Sequence, residues 1–540
     1  MLKLFCIIHE STLEQVVEQL QHLACVQFFN VREHFRFLKP VDTRKKEILA
    51  LEERISVLLA DLKSEARASF LERLIGPKVV PVEIIERGES FDKIEREVEE
   101  VERAYLAFCE KLSEIHRELK EVEEEISRVK REAIDIEALP EDSDLKRRYE
   151  ELGQEREAKE RRLHEAEAEL TLFKKKSYSH LLALKERLKN IKIRVEALEK
   201  FGRSRSIIIF AGWVPEKHRE RVRSAIEEAA RGLAILEFYP PGKDESPPIL
   251  LENPRIIKPY EVLTTTYGLP EYNGIDPTPI LAITFTAMFG MMFADVGYGL
   301  ALSLLGLILY FLTTHRERVL KDINLIVFYA GTASVFFGLL AGEFFGGLLE
   351  IKPLLGSYMQ NIQLLLALSF LLGITHISIS LLSRVVSLRG VSYPLSLLFI
   401  LWGSVVYLAL PQFKAPSSLI LIAGIALLAR DKGLEAIEEL IALTANIISY
   451  ARVGALAVIH VTMARLLMGV VESIQDGVVG VIIATFLFAL GAAFILASST
   501  FIVFIQSLRL HWLEFFRRFY SGKGEMFKPF AYIHEYIYLL

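Results

Sequence analysis

Three cysteines in 540 residues are too few for the frameworks that cysteine builds. Cys6, Cys25 and Cys109 are odd in number and lack metal-ligand spacing, which argues against a disulfide scaffold and against a zinc site. No G-x-x-x-x-G-K-[ST] phosphate loop occurs, and Gly522-Lys523-Gly524 lacks the upstream glycine, so no nucleotide site or other cofactor is expected. The formal charge of −5 offers no basic field for nucleic acid. The opening MLKLFCIIHESTLEQV has too short an apolar run before His9 and Glu10 for a signal-peptide core. The most uneven shortage is charge. Residues 1–278 carry 103 Asp, Glu, Lys or Arg, and residues 279–540 carry only 30. A soluble domain holds about 25% charged residues, so the back half cannot present a solvated surface all round. The front half can, and it is expected in the cytoplasm.

In the front half, residues 2–8 read as a strand, Ser11–Leu23 as a capped helix and Val26–Val31 as a second strand. A similar unit returns as SIIIFAGWV, EKHRERVRSAIEEAA and LAILEFYPP, with Pro215 at the helix start. The expected lobe is one α/β unit, 1–40 and 201–258, split by an insertion at 41–200. Within the insertion, apolar residues run from Ile94 to Val129 in alternating steps of four and three. Ile48, Leu51, Ile55, Leu58 and Leu62 follow the same rule, as do Leu181, Leu184, Leu188, Ile191, Val195 and Leu198. Such heptads predict a coiled coil, and at ~1.5 Å per residue the stretch 145–200 could extend about 80 Å. LPEDSD at 139–144 is the expected fold-back, giving an antiparallel hairpin. The periodicity fits a spacer, a dimerisation rod and a docking arm alike.

Seven apolar stretches follow: 279–312, 325–349, 362–383, 394–410, 417–429, 440–470 and 478–508. Most approach the ~20 residues of a helical membrane span. The loops at 313–322, 384–392 and 430–439 and the tail after 509 are basic, while those near 350–361, 411–416 and 471–477 are poor in base, so the basic set belongs inside. With the front half inside as well, 279–312 must cross twice or not at all, and FADVGYG is the natural reversal. The expectation is an α-helical membrane domain over 259–540 with eight transmembrane helices, the last two long. Their bounds are about 279–294, 296–312, 325–349, 362–383, 394–410, 417–429, 440–470 and 478–510, with both termini cytoplasmic.

A charge inside a span is costly and usually faces protein or water. Arg452 sits near the centre of 440–470, where it serves as a fixed functional cation, as the partner of a buried acid, or, on a shifted helix, as a snorkelling residue. Arg509, near the inner end of the last span beside Trp512, fits an interfacial anchor as well. Asp295, Glu343, His376, Glu435, Glu438, Glu439, His460, His511 and Glu514 also lie within or beside spans. Glu438, Arg452 and His460 are spaced by near-whole turns and fall roughly along one face. Glu435–Glu439 equally suits a solvated helix start, His376 a hydrogen-bonded structural histidine, and Arg465 a side chain reaching the outer interface.

PPILLENPRIIKPYEVLTTTYGLPEYNGIDPTPILAITF, FGMMFADVGYG, GEFFG, SYARVGALAVIH and SLRLHWLEFFRRFYSGKGEMFKPF resemble the membrane stator subunit of vacuolar and archaeal-type rotary ATPases, subunit a or subunit I. IIIFAGWVP and its helix are similar to that family's cytoplasmic lobe. The resemblance runs in order over residues 206–540. It implies a non-catalytic, ion-translocating subunit, with the proton as the expected ion, set against a rotating proteolipid ring (c/K-type) whose subunits each carry a buried carboxylate. It also implies docking to peripheral-stalk heterodimers of the E/G type, and contact with a central-stalk cap of the d/C type. Arg452 then stands as the essential stator arginine and Arg509 as the second, with Glu438, Asn446 and His460 along a half-channel. Ser499 stands where the vacuolar proteins carry Glu, and Gln506 where they carry His, so a carboxylate-lined exit path is not carried over. Only residues 74–93 remain as a candidate for the family's distal lobe.

Two other functions fit the same architecture. A self-contained secondary transporter would show an internal repeat, and none is apparent. A membrane tether with a recruiting arm would tolerate neutral residues at Arg452 and Arg509.

Overall fold

A computed structural model describes residues 1–33, 35, 38–41, 44–63, 91–132, 144–242, 245–272, 274–313, 317–349, 351–354, 361–386, 390–474 and 477–533. The candidate distal lobe at 74–93 and the fold-back at 139–144 fall almost wholly outside these residues. The chain forms two compact units: Met1–Pro240 together with the tail from Lys528, and Pro241–Phe527.

The first unit begins as the alternation of Leu4, Cys6 and Ile8 dictates, with β1 (Leu2–His9) burying every second side chain. Helix α1 (Leu13–Leu23) turns over onto this face with Val16, Val17 and Leu20 inward, and β2 (Gln27–Phe29) follows. The second pass comprises β3 (Gly202–Ser204) and β4 (Ile207–Val214), then a helix at Arg219–Ala229 and β5 (Ala234–Tyr239). The sheet order is β2-β4-β1-β5, with β3 also on β4 and every pair antiparallel. This is the split βαβ arrangement. The tail completes it: Phe530 N–H donates to the Val26 carbonyl (2.7 Å), and Phe530 packs on Phe28. Asn190 grips Ile533 twice, its Oδ1 accepting from Ile533 N–H (2.7 Å) and its amide donating to Ile533 O (3.1 Å).

Between the two passes run α2 (Lys45–Asp61), α3 (Phe91–Glu132) and α4 (Asp144–Leu198). Ion pairs set their directions. Lys111–Glu169 (3.0 Å), Lys159–Glu118 (3.6 Å) and Arg148–Glu125 (3.2 Å) make α3 and α4 antiparallel. Lys45–Glu199 (2.8 Å) and Lys192–Glu52 (2.6 Å) do the same for α2 and α4. The heptad residues Ile48, Leu51, Ile55, Leu58, Leu62, Ile94, Val98, Leu181, Leu184, Leu188 and Val195 are buried where all three helices meet. Farther along α3, among the described residues, only α3 and α4 share the seam, and Leu106 stands 55% exposed.

In the second unit, six helices among the described residues are long and apolar enough to cross a membrane, by length and composition. They cover Arg318–Ala341, Ile362–Val386, Ser392–Ala409, Pro411–Lys432, Glu435–Glu472 and Gly477–Arg518. Two shorter apolar helices, Thr278–Met292 and Val296–Leu312, precede them. Asp295 separates that short pair, and the Val296 helix lies tightly on the next one. At Gly331 an added Cβ would stand 2.5 Å from Ser303 N, so the small residue is what permits the approach. Instead of the expected 325–349 span, the helix runs over Arg318–Ala341, starting seven residues and ending eight residues earlier. Gly342 (φ +70°) caps it in the left-handed conformation, and GEFFG leaves as a loop. The 440–470 stretch forms Glu435–Ser449 and Ala451–Glu472, passing through Tyr450. The last helix, Gly477–Arg509, runs into a π-helical turn at Leu510–Phe515.

Candidate functional site

Arg452 is the second residue of the Ala451–Glu472 helix, directly after Tyr450 and Ala451, and its partner is an acid in the π-turn that follows the last helix. Arg452 Nη1 lies 3.8 Å from Glu514 Oε1; the arginine side chain is 35% exposed and the glutamate 6%. Neither Arg452 Nη1 nor Glu514 Oε2 makes a hydrogen bond, although both atoms are buried. The pair is therefore held by charge without the hydrogen bonds that make buried pairs rigid. Arg509, last residue of the Gly477 helix and exposed, also acts electrostatically on Glu514.

The π-turn explains how this acid meets the arginines. In an α-helix a residue five positions after Arg509 would point about 140° away from it. An i→i+5 turn takes more residues per revolution and swings Glu514 back. The same turn buries His511, whose Nδ1–H donates to the Ser507 carbonyl (2.7 Å). Its Nε2 shares a hydrogen bond with Thr284 Oγ1 (2.7 Å). Phe515 stacks on His376 with ring centroids 4.3 Å apart. His376 Nδ1 hydrogen-bonds Tyr450 Oη (2.7 Å), and the two histidine rings meet edge-on at 4.7 Å. Tyr450 is fully buried against Gly373, where an added Cβ would stand 2.5 Å from the tyrosine ring. A polar seam thus fixes the backbone two residues before Arg452.

A second cluster surrounds Asp295, which caps the Val296 helix by accepting from Tyr298 N–H (2.9 Å). It also holds the GEFFG loop through Phe345 N–H (3.0 Å) and Gly346 N–H (3.2 Å). Glu343 in that loop pairs with Arg465 (2.5 Å). Arg465 thus reaches an acid across 122 residues of sequence instead of only an interface. His460 stacks on Phe293 (4.3 Å) and meets Tyr298 edge-on (5.4 Å); its ring nitrogens and the Tyr298 hydroxyl are buried without hydrogen-bond partners.

The remaining expected residues are more dispersed. Glu438 is exposed in the first turn of the Glu435 helix, and Asn446 is half-buried on the same helix. Ser499 is buried, and Gln506 is half-buried with Oε1 unpartnered. Glu438, Arg452 and His460, spaced for one helix face, step from exposed to half-buried to buried. Sequence reasoning missed Tyr450, Tyr298 and Thr284; the first two stand inside the motifs SYAR and FADVGYG.

These features define a multi-pass membrane protein. The family is specific: the model of the V-type ATPase 116kDa subunit family matches residues 177–357 and 431–532, more than half of the chain, and the chain belongs to that family. A-type ATP synthase subunit I of Methanocaldococcus jannaschii is 29% identical, over 92% of this chain and 81% of its own length. The subunit I of Methanothermobacter thermautotrophicus is 30% identical over 72% of this chain and 60% of its own, and that of Pyrococcus abyssi 30% over 69% and 61%. The chain therefore spans less than two thirds of the latter two relatives. A crystal structure of the cytoplasmic N-terminal domain of subunit I, homolog of subunit a, of V-ATPase covers 44% of this chain at 15% identity, with a TM-score of 0.17.

Proposed function

We propose that this chain is the ion-translocating stator subunit of a V/A-type rotary ATPase or ATP synthase, with the proton as its ion. The carrying observation is Arg452: a permanent cation on an apolar helix, charge-paired to Glu514 yet about one third exposed. A partly exposed guanidinium attracts an ionised carboxylate brought past it and favours release of that carboxylate's ion. Being unable to deprotonate, it also blocks proton leak between two half-paths. Arg509, which also acts electrostatically on Glu514, adds to that field. Glu438, Asn446 and His460 line one half-channel, and Ser499 and Gln506 stand where the other needs polar groups. Asp295, Glu343, His376, His511 and Glu514 are the polar membrane residues that position these parts.

In this reading the eight apolar helices all belong to the membrane domain (259–540), with both termini on the cytoplasmic side with the basic loops. The split lobe (1–40 and 201–258) and the coiled-coil arm (41–200) hold the peripheral stalk. The partners are a proteolipid ring, the stalk heterodimers and the central-stalk cap. ATP chemistry lies on other subunits. The test is Arg452→Ala in the assembled complex, with ATP-coupled ion pumping measured in vesicles. Coupled pumping is expected to be lost, and undiminished pumping refutes the reading.

A further inference from the structure

We propose that Glu514 is the resident counter-ion of Arg452, a positioning residue whose charge the arginine leaves for the visiting ring carboxylate and regains when that carboxylate departs. The inference rests on the stator reading above.

Three observations carry it. The first is that the pair is close but unbonded: 3.8 Å separates Nη1 from Oε1, and neither Nη1 nor Glu514 Oε2 makes a hydrogen bond. The arginine keeps donors free for a second carboxylate, and parting from the first breaks no hydrogen bond at either atom. The second is that Glu514 is held in place by its surroundings. Its π-turn is pinned through His511 to Thr284 and Ser507, and through Phe515 to His376. When Arg452 swings outward, the glutamate cannot follow. The third is exposure: the arginine side chain is partly open while the glutamate is almost wholly enclosed, so a visitor can approach only the arginine.

A fixed cation facing a mobile carboxylate has one physical difficulty, that strong attraction speeds arrival and slows departure. A second carboxylate in permanent reach divides the pull. Arg509 also acts electrostatically on Glu514, so two cations share one resident anion. Tyr450, on the neighbouring helix junction, also acts electrostatically with Glu514. Removing the Glu514 charge leaves Arg452 attracted only to the visitor.

The experiment compares Glu514→Gln, which keeps the shape and loses the charge, with Glu514→Asp, which keeps the charge on a shorter stem. Both are made in the assembled complex, and ATP-driven ion pumping and the ratio of ions moved to ATP hydrolysed are measured. Glu514→Gln is expected to stay coupled but pump roughly fivefold to tenfold slower, equivalent to about 1 to 1.4 kcal/mol of tighter hold. Glu514→Asp is expected to recover most of the rate. The reverse ranking, with Gln near the parent and Asp impaired, overturns the proposal, as do parent-level rates for both. If Glu514→Gln does not assemble, an assembled Glu514→Asp pumping near the parent rate supports the charge requirement; an unassembled or slow one overturns it. Arg452→Ala is measured alongside. If it pumps undiminished, the stator reading itself fails; if it is dead while the Glu514 variants rank against expectation, only the counter-ion assignment falls.

Discussion

Replacing Tyr450 by Phe tests whether the polar seam beside Arg452 contributes to stability. The substitution keeps the ring that fills the space against Gly373 and removes only the hydroxyl that meets His376 Nδ1 at 2.7 Å. His376 is 1% exposed and its Nε2 already lacks a partner, so without the tyrosine hydroxyl neither ring nitrogen has one. A hydrogen bond between membrane helices contributes on average about 0.6 and at most about 1.7 kcal/mol. Stranding a buried polar group costs about 1–3 kcal/mol. An imidazole with both nitrogens stranded belongs at the upper end of the first range, so Tyr450→Phe is expected to destabilise the protein by about 1.5 kcal/mol. For a body of this size that lowers the melting temperature in detergent by about 2–4 °C. The sharper assay is the cycle with His376→Phe, because the double variant removes both polar partners together. Its loss should fall short of the summed single losses by about 1 kcal/mol. Strictly additive losses, or a Tyr450→Phe protein that melts with the parent, refute the account of the seam.

The arm and the thiols offer two further tests. Leu184→Ala, at a fully buried position where three helices meet, should cost about 2–5 kcal/mol in chemical denaturation of the intact chain, whereas Leu106→Ala should cost less than about 0.5 kcal/mol. Equal effects would remove the three-helix seam as the source of the arm's stability. Cys6 and Cys25 are buried and Cys109 is exposed, and burial pushes the Cys6 thiol up to about 12. The reactive species is the thiolate, which for Cys6 stays scarce until pH nears that value. A maleimide should therefore label one thiol per native chain both at pH 7 and at pH 9, and three after denaturation. Labelling of Cys6 in the native protein at pH 9 would contradict its burial.

The broad division was legible because it rests on local signals. A scarcity of charge from residue 279 onward reads directly as lipid-facing helix, and steps of three and four from Ile48, Ile94 and Leu181 read as a helical seam. Asp295 between two short apolar helices was legible for the same reason, as an acid with flanking glycines in a hydrophobic run. What escaped depends on residues far apart or on backbone geometry without a sequence mark. LHWLEF contains neither glycine nor proline, so nothing in it signals the π-turn that brings Glu514 to Arg452. Tyr450 and His376 are 74 residues apart, and Arg465 and Glu343 are 122 apart. Hydropathy also misplaced a helix end, since it cannot tell the apolar loop residues Phe344 and Phe345 from a continuing span; Gly342 decides that boundary through its backbone.

The tail that closes the first unit fixes an order of events during synthesis. Residues 1–240 emerge early, but the Val26 carbonyl, the Gln27 side chain and the amide of Asn190 find their partners only in residues 528–533. The intervening 287 residues (241–527) are those of the second unit. At ~5–20 residues per second they take roughly 15–60 s to make. Throughout that interval the nascent lobe carries an open seat beside β2, and its assembly is completed only after the apolar helices have been made.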